Sequence, residues 1–495
     1  MSASIDRPSN RIAVIGGGIT GLTAAWHLCR RDPTAQIVLY ESANRPGGVL
    51  QTERHDGYCL ELGPDSFLRR LPWAVKLCEQ LGIAGELTPT EPASAGVYTV
   101  YRGRLVRMPE GLAAMAPQRI WPMIRTPILT PWGKVRMAGE RLLPARRESD
   151  DESLAQFARR RFGAEGLARI IQPLAGGIYM GDPERLSMRA AFPQLVAAER
   201  ECGSLIKSCR IAARRAAKVP PAPRDTVFTA PRGGIGQLVG ALVAALPAEC
   251  IRLNHRVETL VRDGSGWRIV GVDASTGRAF DERFARVLIA APAREAATML
   301  RGADENLADV LAGVPTTSCV VVNVAYPCAA IGRPLDAAGI VIPHVEGRLL
   351  AACTFSSVKY AGRAPAGTVL LRVFLGGAQR PEAVDASDAE LIDVVCRELA
   401  ELLDVRGAPL LVRIARWRHV MPQYHVGHLD RIAEIETRTA LLPGLELAGN
   451  SYRGIGIPHC IHDAQQAVER LLATSAPPLS RAEASADAPH AASPA

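Results

Sequence analysis

The sequence predicts a fold of mixed α/β and α+β class, in which a nucleotide-binding domain is assembled from discontinuous segments and carries a mixed-sheet domain and a helical insertion. Three observations predict it. A buried-strand pattern runs into a glycine turn at IAVIGGGITG (residues 12–21), and buried strands return far away at RVLIAAPA (286–293) and PGLELAGN (443–450). The apolar runs SCVVVNVAY (318–326) and TVLLRVFL (368–375) read as strands of a second sheet. At 495 residues, 48% of them hydrophobic, the chain can fill two or three separate cores.

The first element explains its own glycines. Gly16, Gly18 and Gly21 fit G-x-G-x-x-G between an apolar strand and LTAAWHLCR, whose spacing is helical. Bare backbone turns tightly and lets a ligand reach the amides. A helix starting there aims free N–H groups at a pyrophosphate, so Gly16, Gly17, Gly18, Ile19, Thr20 and Gly21 are candidate phosphate contacts. The next strand, IVLYES, brings in Glu41 twenty residues after Gly21, where a Rossmann-type unit places a carboxylate on the adenosine ribose hydroxyls. Glu41, Arg45, Gly47 and Gly48 then spell E-x-x-x-R-x-G-G, a start that resembles the FAD-binding unit of the amine oxidase and phytoene desaturase superfamily. In that reading Arg45 offers a cationic fork to the pyrophosphate, and the paired glycines let backbone pass beside the flavin. The plainer alternative is a surface arginine before a turn.

Further along, the nucleotide-binding (FAD) domain is expected in three pieces, 11–90, 226–305 and 436–474. FTAPRGGIGQLVGALVAAL supplies a glycine turn into a helix, RVETLVRDGSGWRIVGV a hairpin turning at Asp263 to Gly266, and CIHDAQQAVERLL a closing helix. Residues 306–435 are expected to form the substrate-binding domain and 91–225 a helical insertion. From about Ser475 the chain is Ala-, Pro- and Ser-rich, which predicts a disordered tail over 475–495.

Charge and cysteines narrow the class. The net charge of +8 is concentrated between Ala116 and Arg147, where seven basic residues face one acidic residue and are interleaved with Trp121, Trp132, Ile and Met. Few aromatics and no recognisable module argue against nucleic acid. Two readings of the segment stand: a surface that rests on an anionic membrane, or a solvated helical face with a buried apolar side. No run of about 18 uncharged apolar residues predicts a membrane span, and MSASIDRPSNR lacks an apolar signal core. Eleven cysteines without C-x-x-C read as reduced thiols of a cytoplasmic protein with no structural metal.

Four strings beyond the glycine loop make the resemblance specific. LELGPDSFLRR, QPLAGGIYMGDPERLS, MPQYHVGHLDRI and LPGLELAGNSYRGIGIPHCI resemble, in order and over nearly the whole chain, the oxygen-dependent, FAD-containing porphyrinogen oxidases of haem biosynthesis. These act on protoporphyrinogen IX or coproporphyrinogen III. The resemblance implies non-covalent FAD, held by the 16–21 loop, Glu41 with Ser42, Arg45, Val49 and the turn Gly63, Pro64, Asp65 and Ser66. It further implies main-chain contact from Val257 to the adenine, Trp417 near the flavin, and Ile455, Gly456 and Ile457 along the reactive ring. The implied reaction is a six-electron oxidation of the porphyrinogen with molecular oxygen as acceptor and hydrogen peroxide as product.

Pyrrole nitrogens assist departure of hydride from the bridge carbons, so no protein base is demanded and no catalytic side chain is assigned. Arg70, Arg185 and Arg453 are candidate partners of the substrate propionates, each also readable as a plain surface arginine. The family pattern carries an acidic residue more often where this chain has Arg453, and usually Asp where it has His459. Either change adds positive character at the flavin edge, or is neutral on a helix-start loop. MPQY and GIP lean toward coproporphyrinogen III. Peripheral contact with an anionic membrane and a homodimer are admitted as further partners. An amine oxidase or carotenoid desaturase-like enzyme, and a non-enzymatic flavin-holding partner of haem-pathway proteins, are the alternatives from other classes.

Overall fold

A computed structural model of the chain describes residues 10–113, 116–117, 120–146, 150–216 and 226–473. The expected disordered tail and the leading residues before Asn10 lie outside them.

Five parallel strands form one sheet in the order Ile251–Arg252, Gln36–Tyr40, Arg11–Ile15, Arg286–Ile289 and Leu445–Leu447. Three distant stretches of sequence therefore meet in one layer. Its central strands are buried almost end to end because both faces are covered, which is why they read as continuous apolar runs rather than alternation. On one face the helix Ile19–Arg31 packs with Ile457–Ala473, Pro72–Gln80 and Gly236–Ala244 around Leu22, Leu39, Leu238 and Ile461. The other face takes the meander His255–Asp263, Gly266–Asp273 and Arg278–Phe284, pinned by the fully buried Trp267, whose Nε1 donates to the Pro443 carbonyl at 3.2 Å.

Two helices cross the expected boundary. Glu305–Ala312 and His428–Thr439 present Leu307, Leu311, Ile432 and Ile435 to the core beneath the meander, so both pack on the parallel sheet and not in the substrate-binding domain expected over 306–435. Their apolar stripes have helical spacing, and this core is what buries them.

The second sheet has seven strands in the order Leu411–Pro422, Thr316–Pro327, Thr368–Gly376, Leu350–Phe355, Gly339–Val341, Tyr98–Tyr101 and Arg104–Arg107. All neighbours are antiparallel except Gly339–Val341 against Tyr98–Tyr101, which makes the sheet mixed. Helix Asp388–Leu403, started by a Ser387–Glu390 capping box, covers one face through Leu391, Val395, Leu399 and Leu402. Its last two strands correct the helical reading of 91–225. VYTVYRGRLVRM alternates, and Arg102 and Gly103 both adopt positive φ (51° and 75°), the conformation of a two-residue hairpin turn. Among the described residues, the elements of the insertion from Ile120 to Ala216 are helices.

That helical section is organised around a buried charge. Arg161, fully buried, donates to Glu140 through Nε at 3.0 Å, to Glu199 at 3.3 Å and to the Pro144 and Gly203 carbonyls, while Glu140 also accepts from Ser204 Oγ and the Leu205 amide. Removing one partner strands the other in a low-dielectric core. Glu140→Ala should cost about 3–5 kcal/mol and lower the thermal midpoint; an unchanged melting curve would show that Arg161 finds solvent or another acceptor.

Candidate active site

The glycine loop has the shape a pyrophosphate needs. Gly16 sits at φ 105°, in the left-handed region, and its N–H donates to the Tyr40 carbonyl at 2.8 Å. A Cβ on Gly21 would lie 1.8 Å from the Gly16 carbonyl oxygen, so that position takes only glycine if the helix is to sit on the loop. Gly18, by contrast, would meet nothing within 4 Å. It begins the helix with no side-chain cap, which leaves the first helical amides open on the side where Gly18 leaves space. These features fit a dinucleotide phosphate.

Glu41 is tied into the same loop. Its buried carboxylate accepts from the Gly17 amide at 2.7 Å, the Ala43 amide at 2.7 Å and Ser42 Oγ at 3.3 Å. A carboxylate has about four acceptor positions, so capacity remains for ribose hydroxyls. The Gly47 amide donates to the Gly17 carbonyl at 2.7 Å, laying the second glycine turn against the first, and Arg45 donates to the Gly48 and Pro46 carbonyls. The His255 amide donates to the Glu41 carbonyl at 2.9 Å, which brings the strand bearing buried Val257 alongside Glu41; that strand bulges between Val257 and Thr259.

The turn carrying Gly63 to Ser66 is held almost wholly by the second sheet. Trp417 Nε1 donates to the Leu62 carbonyl at 2.6 Å, Arg372 to the Gly63 carbonyl at 3.0 Å and Asn323 to the Glu61 carbonyl at 3.0 Å. Arg363 reaches the Glu61 carboxylate at 2.9 Å. Asp65 lies between Lys359 at 3.0 Å and Arg372 at 3.2 Å, with Ser66 Oγ donating at 2.8 Å; Pro64 is exposed. Burial alone would raise the Asp65 carboxyl, but Arg372 and Lys359 overcome it and hold the group well below the ordinary carboxylate range. Burial likewise pulls the Lys359 ammonium down, against Asp65. A Cβ on Gly63 would stand 1.9 Å from the Val49 carbonyl oxygen, so Val49 is pressed against this turn.

The last predicted segment closes the site. Tyr424 Oη donates to the Asn450 carbonyl at 2.6 Å and accepts from the Gly454 amide at 2.8 Å; His428 donates from Nε2 to the Tyr452 carbonyl at 2.9 Å, and the two rings stack at 4.1 Å. The Gly449 amide donates to buried Asp463 at 2.7 Å, and a Cβ on Gly449 would lie 3.7 Å from Thr20, which sets this segment beside the first helix. Ile455 packs on the helical section and Ile457 in the core of the parallel sheet, so Gly456 sits where the two meet. Tyr424 and His428, with Lys359 and Arg372, are functional candidates that the sequence did not single out. The first two lie inside the quoted MPQYHVGHLDRI string; Lys359 ends the short helix Ser356–Lys359 and Arg372 sits in the strand Thr368–Gly376, neither with a local mark.

The three candidate arginines part company. Arg70, exposed, stands beside His459, whose imidazole is pushed below its ordinary value by burial and by Arg70. The His459 ring lies over Gly454 and Gly456, since a Cβ on Gly456 would stand 3.2 Å from Nδ1, and Trp73 adjoins it at 5.8 Å between centroids. Arg453 is not a free cation. Its Nε and Nη2 both donate to half-exposed Glu436, at 3.0 and 2.6 Å, because one helical turn of His428–Thr439 faces it. Arg185 lies on the Asp182 turn beside His425.

With this geometry in view, the comparisons are specific. The family model described as flavin containing amine oxidoreductase matches residues 19–472. The chain is 34% identical to coproporphyrinogen III oxidase of Propionibacterium freudenreichii subsp. freudenreichii, over 93% of this chain and 90% of that one. It is 32% identical to coproporphyrinogen III oxidase of Bacillus subtilis (strain 168), over 93% and 97%. A crystal structure from Exiguobacterium sp. 255-15, provisionally named a protoporphyrinogen oxidase, superposes with a TM-score of 0.82 at 29% identity, covering 94% of this chain and 98% of that one.

Asp65→Asn leaves Lys359 and Arg372 buried against a neutral amide, and should destabilise by about 3–5 kcal/mol at pH 7. Because the folded carboxyl is depressed, its contribution is complete above the unfolded value of about 3.9 and fades as pH falls below it. Urea melts of both proteins at pH 7 and pH 3 check this: the gap between them should narrow at the lower pH, and a gap that widens would contradict the assignment.

Proposed function

The chain belongs to the flavin containing amine oxidoreductases, and we propose that it oxidises a porphyrinogen to a porphyrin in haem biosynthesis, taking coproporphyrinogen III with molecular oxygen as final acceptor. One observation carries the reading. Three of the strings that resemble porphyrinogen oxidases converge on Tyr424: the Ser187 amide donates to its carbonyl at 2.7 Å, its neighbour Gln423 donates to the Tyr179 carbonyl at 3.0 Å, and its hydroxyl holds Asn450 and Gly454. Both relatives above 30% identity that are described here are coproporphyrinogen III oxidases, which supports the four-propionate substrate.

The cofactor is FAD, and when bound it supplies the two-electron acceptor. The side chains then have a positioning task. Glu41 and the glycine loop would hold the adenosine and pyrophosphate, and the 61–66 turn and the 449–457 segment would line the ring. Arg70 is the cation best placed for a propionate, because no carboxylate pairs with it among the described residues and it adjoins His459 at the start of the last helix. His459, kept neutral by burial and by Arg70, can share a hydrogen bond with that carboxylate without repelling Arg70.

Peripheral membrane contact is part of the same proposal. Trp121, Ile124, Trp132, Val135 and Leu142 are exposed along Ile120–Leu142, with Trp132 and Leu142 at 82% and 88%. Arg136 and Lys134 keep their charges while donating to the carbonyls of residues 159–161 and Ile124, and Arg146 pairs with Glu152 at 3.4 Å. Arg119 and Arg147 lie outside the residues whose side chains are described. No helix among the described residues is long and apolar enough to cross a membrane.

Two measurements test these readings. Purified protein given each porphyrinogen in air should form coproporphyrin faster than protoporphyrin, and Arg70→Ala should raise the coproporphyrinogen KM about two- to fivefold, matching the ~0.5–1 kcal/mol of a solvent-screened charge pair. FAD content should not change, and Arg453→Ala should leave KM unaltered. An unchanged coproporphyrinogen KM in Arg70→Ala would remove Arg70 from the site. In vesicle flotation the protein should bind anionic vesicles, with Trp132→Ala binding less; loss of binding on salt addition alone, with no effect of Trp132→Ala, would exclude the apolar anchor.

A further inference from the structure

The helix Gln172–Tyr179 leaves a cleft of about 300 Å³ against the seven-stranded sheet, where the strands Gly339–Val341 and Thr368–Gly376 both end. Gln172, Gly176, Met180, Ile342, His344 and Gln379 line it. The Gln172 side chain is 7% exposed and only half satisfied: Oε1 accepts from the His344 amide at 3.0 Å, while Nε2 has no partner among the described residues. A Cβ on Gly176 would stand 3.3 Å from that Nε2, so the glycine leaves the donor uncovered on the side of the cleft. A buried N–H without an acceptor is unfavourable, and a ligand oxygen there would relieve it.

The groups around Gln172 are donors and cations. Arg380 is half-buried on the turn after Thr368–Gly376, where its amide donates to the Gly377 carbonyl at 3.3 Å, and no carboxylate pairs with it among the described residues. Burial and Arg380 lower the His344 imidazole, against Asp182, so the neutral ring keeps one N–H to give. Asp182 itself accepts from the Glu184 amide at 2.9 Å and from Gln379 Nε2 at 3.3 Å. No acidic residue lines the cleft among the described residues.

We propose that this cleft takes one propionate of the tetrapyrrole, with Gln172 and His344 donating to the carboxylate and Arg380 supplying the opposite charge, a role that rests on the porphyrinogen oxidation proposed above. A carboxylate only accepts, which matches this donor set, and Met180 and Ile342 offer apolar contact to the two methylenes of the arm. The cleft has room for an arm and not for the macrocycle. It is also tied to the rest of the site. Tyr179, which ends the helix, gives its carbonyl to Gln423 Nε2 at 3.0 Å, and the adjoining Tyr424 holds Asn450 and Gly454. One wall of the cleft and the 449–457 segment therefore meet through two consecutive residues, and Gln172, His344 and Arg380 become positioning residues for the substrate.

The test is steady-state oxidation of coproporphyrinogen III by the FAD-loaded protein. Gln172→Glu keeps an acceptor for the His344 amide but sets a carboxylate against the propionate; it should raise KM about tenfold, the scale of one lost hydrogen bond to a charged group, with kcat and FAD content unchanged. Arg380→Gln should raise KM about threefold, and it decides the matter if Gln172→Glu folds poorly. Coproporphyrinogen III tetramethyl ester, which has no carboxylate to lose, should respond to neither variant. Equal KM increases for acid and ester would mark a structural defect and overturn the proposal. Inhibition by glutarate that Gln172→Glu abolishes, with no change in the coproporphyrinogen KM, would put a free dicarboxylate in the cleft and overturn it as well. Turnover by the unsubstituted protein with KM unaltered in both variants removes the cleft alone, whereas no turnover by the unsubstituted protein removes the porphyrinogen reading and the cleft with it.

Discussion

The turn from Glu61 to Ser66 carries two buried carboxylates that its own segment cannot neutralise. Arg363, Arg372 and Lys359 come from the seven-stranded sheet and its connections, and they pair with Glu61 and Asp65 where neither side is appreciably exposed. An unpaired charge at that depth is strongly unfavourable, so the turn and the sheet have one low-energy arrangement relative to each other. The carbonyls follow the same rule: Trp417, Asn323 and Arg372 take Leu62, Glu61 and Gly63 in succession. The shape of this turn is therefore set by residues some three hundred positions away in sequence.

Residues 449–457 obey a second constraint, that of buried backbone. Residues 449–455 are irregular and their polar groups need partners. Tyr424 and His428 supply three of these contacts, and Asp463 supplies another from the final helix. Tyr424 has little freedom of its own, being buried, stacked on His428 and close to Tyr179 at 6.1 Å. A rigid wall suits a reaction in which the pyrrole drives bond cleavage and the protein contributes placement.

Two sets of charged side chains differ in how they are held. Glu140, Arg161 and Glu199 form a buried cluster that organises the helical section, whereas Arg70 is exposed and has no carboxylate partner among the described residues. The first kind of charge is held by geometry. The second is available to a ligand.

Local pattern accounts for what was legible in the sequence. The glycine loop, Glu41 and the parallel strands are short-range features: Gly16 needs a positive φ, Gly21 needs the absence of a Cβ, and strands covered on both faces read as apolar runs. Their meaning is contained in twenty or thirty consecutive residues, and the same holds for the four strings that resemble the porphyrinogen oxidases. The hairpin at 98–107 was legible too, through its alternation and Arg102-Gly103 turn, but was absorbed into the helix-rich stretch that follows it. What the tertiary structure alone decided are pairings across long separations. Nothing near Arg453 in sequence says that Glu436 will occupy it, nothing near Arg70 says that it will stand beside His459, and nothing near Asp65 names Lys359 and Arg372. An arginine in a sequence is only a charge on a long stem; whether it binds substrate, bridges two domains or answers a neighbouring carboxylate depends on which oppositely charged group the fold brings within about 4 Å, and that distance is set by the packing of elements the local sequence does not contain.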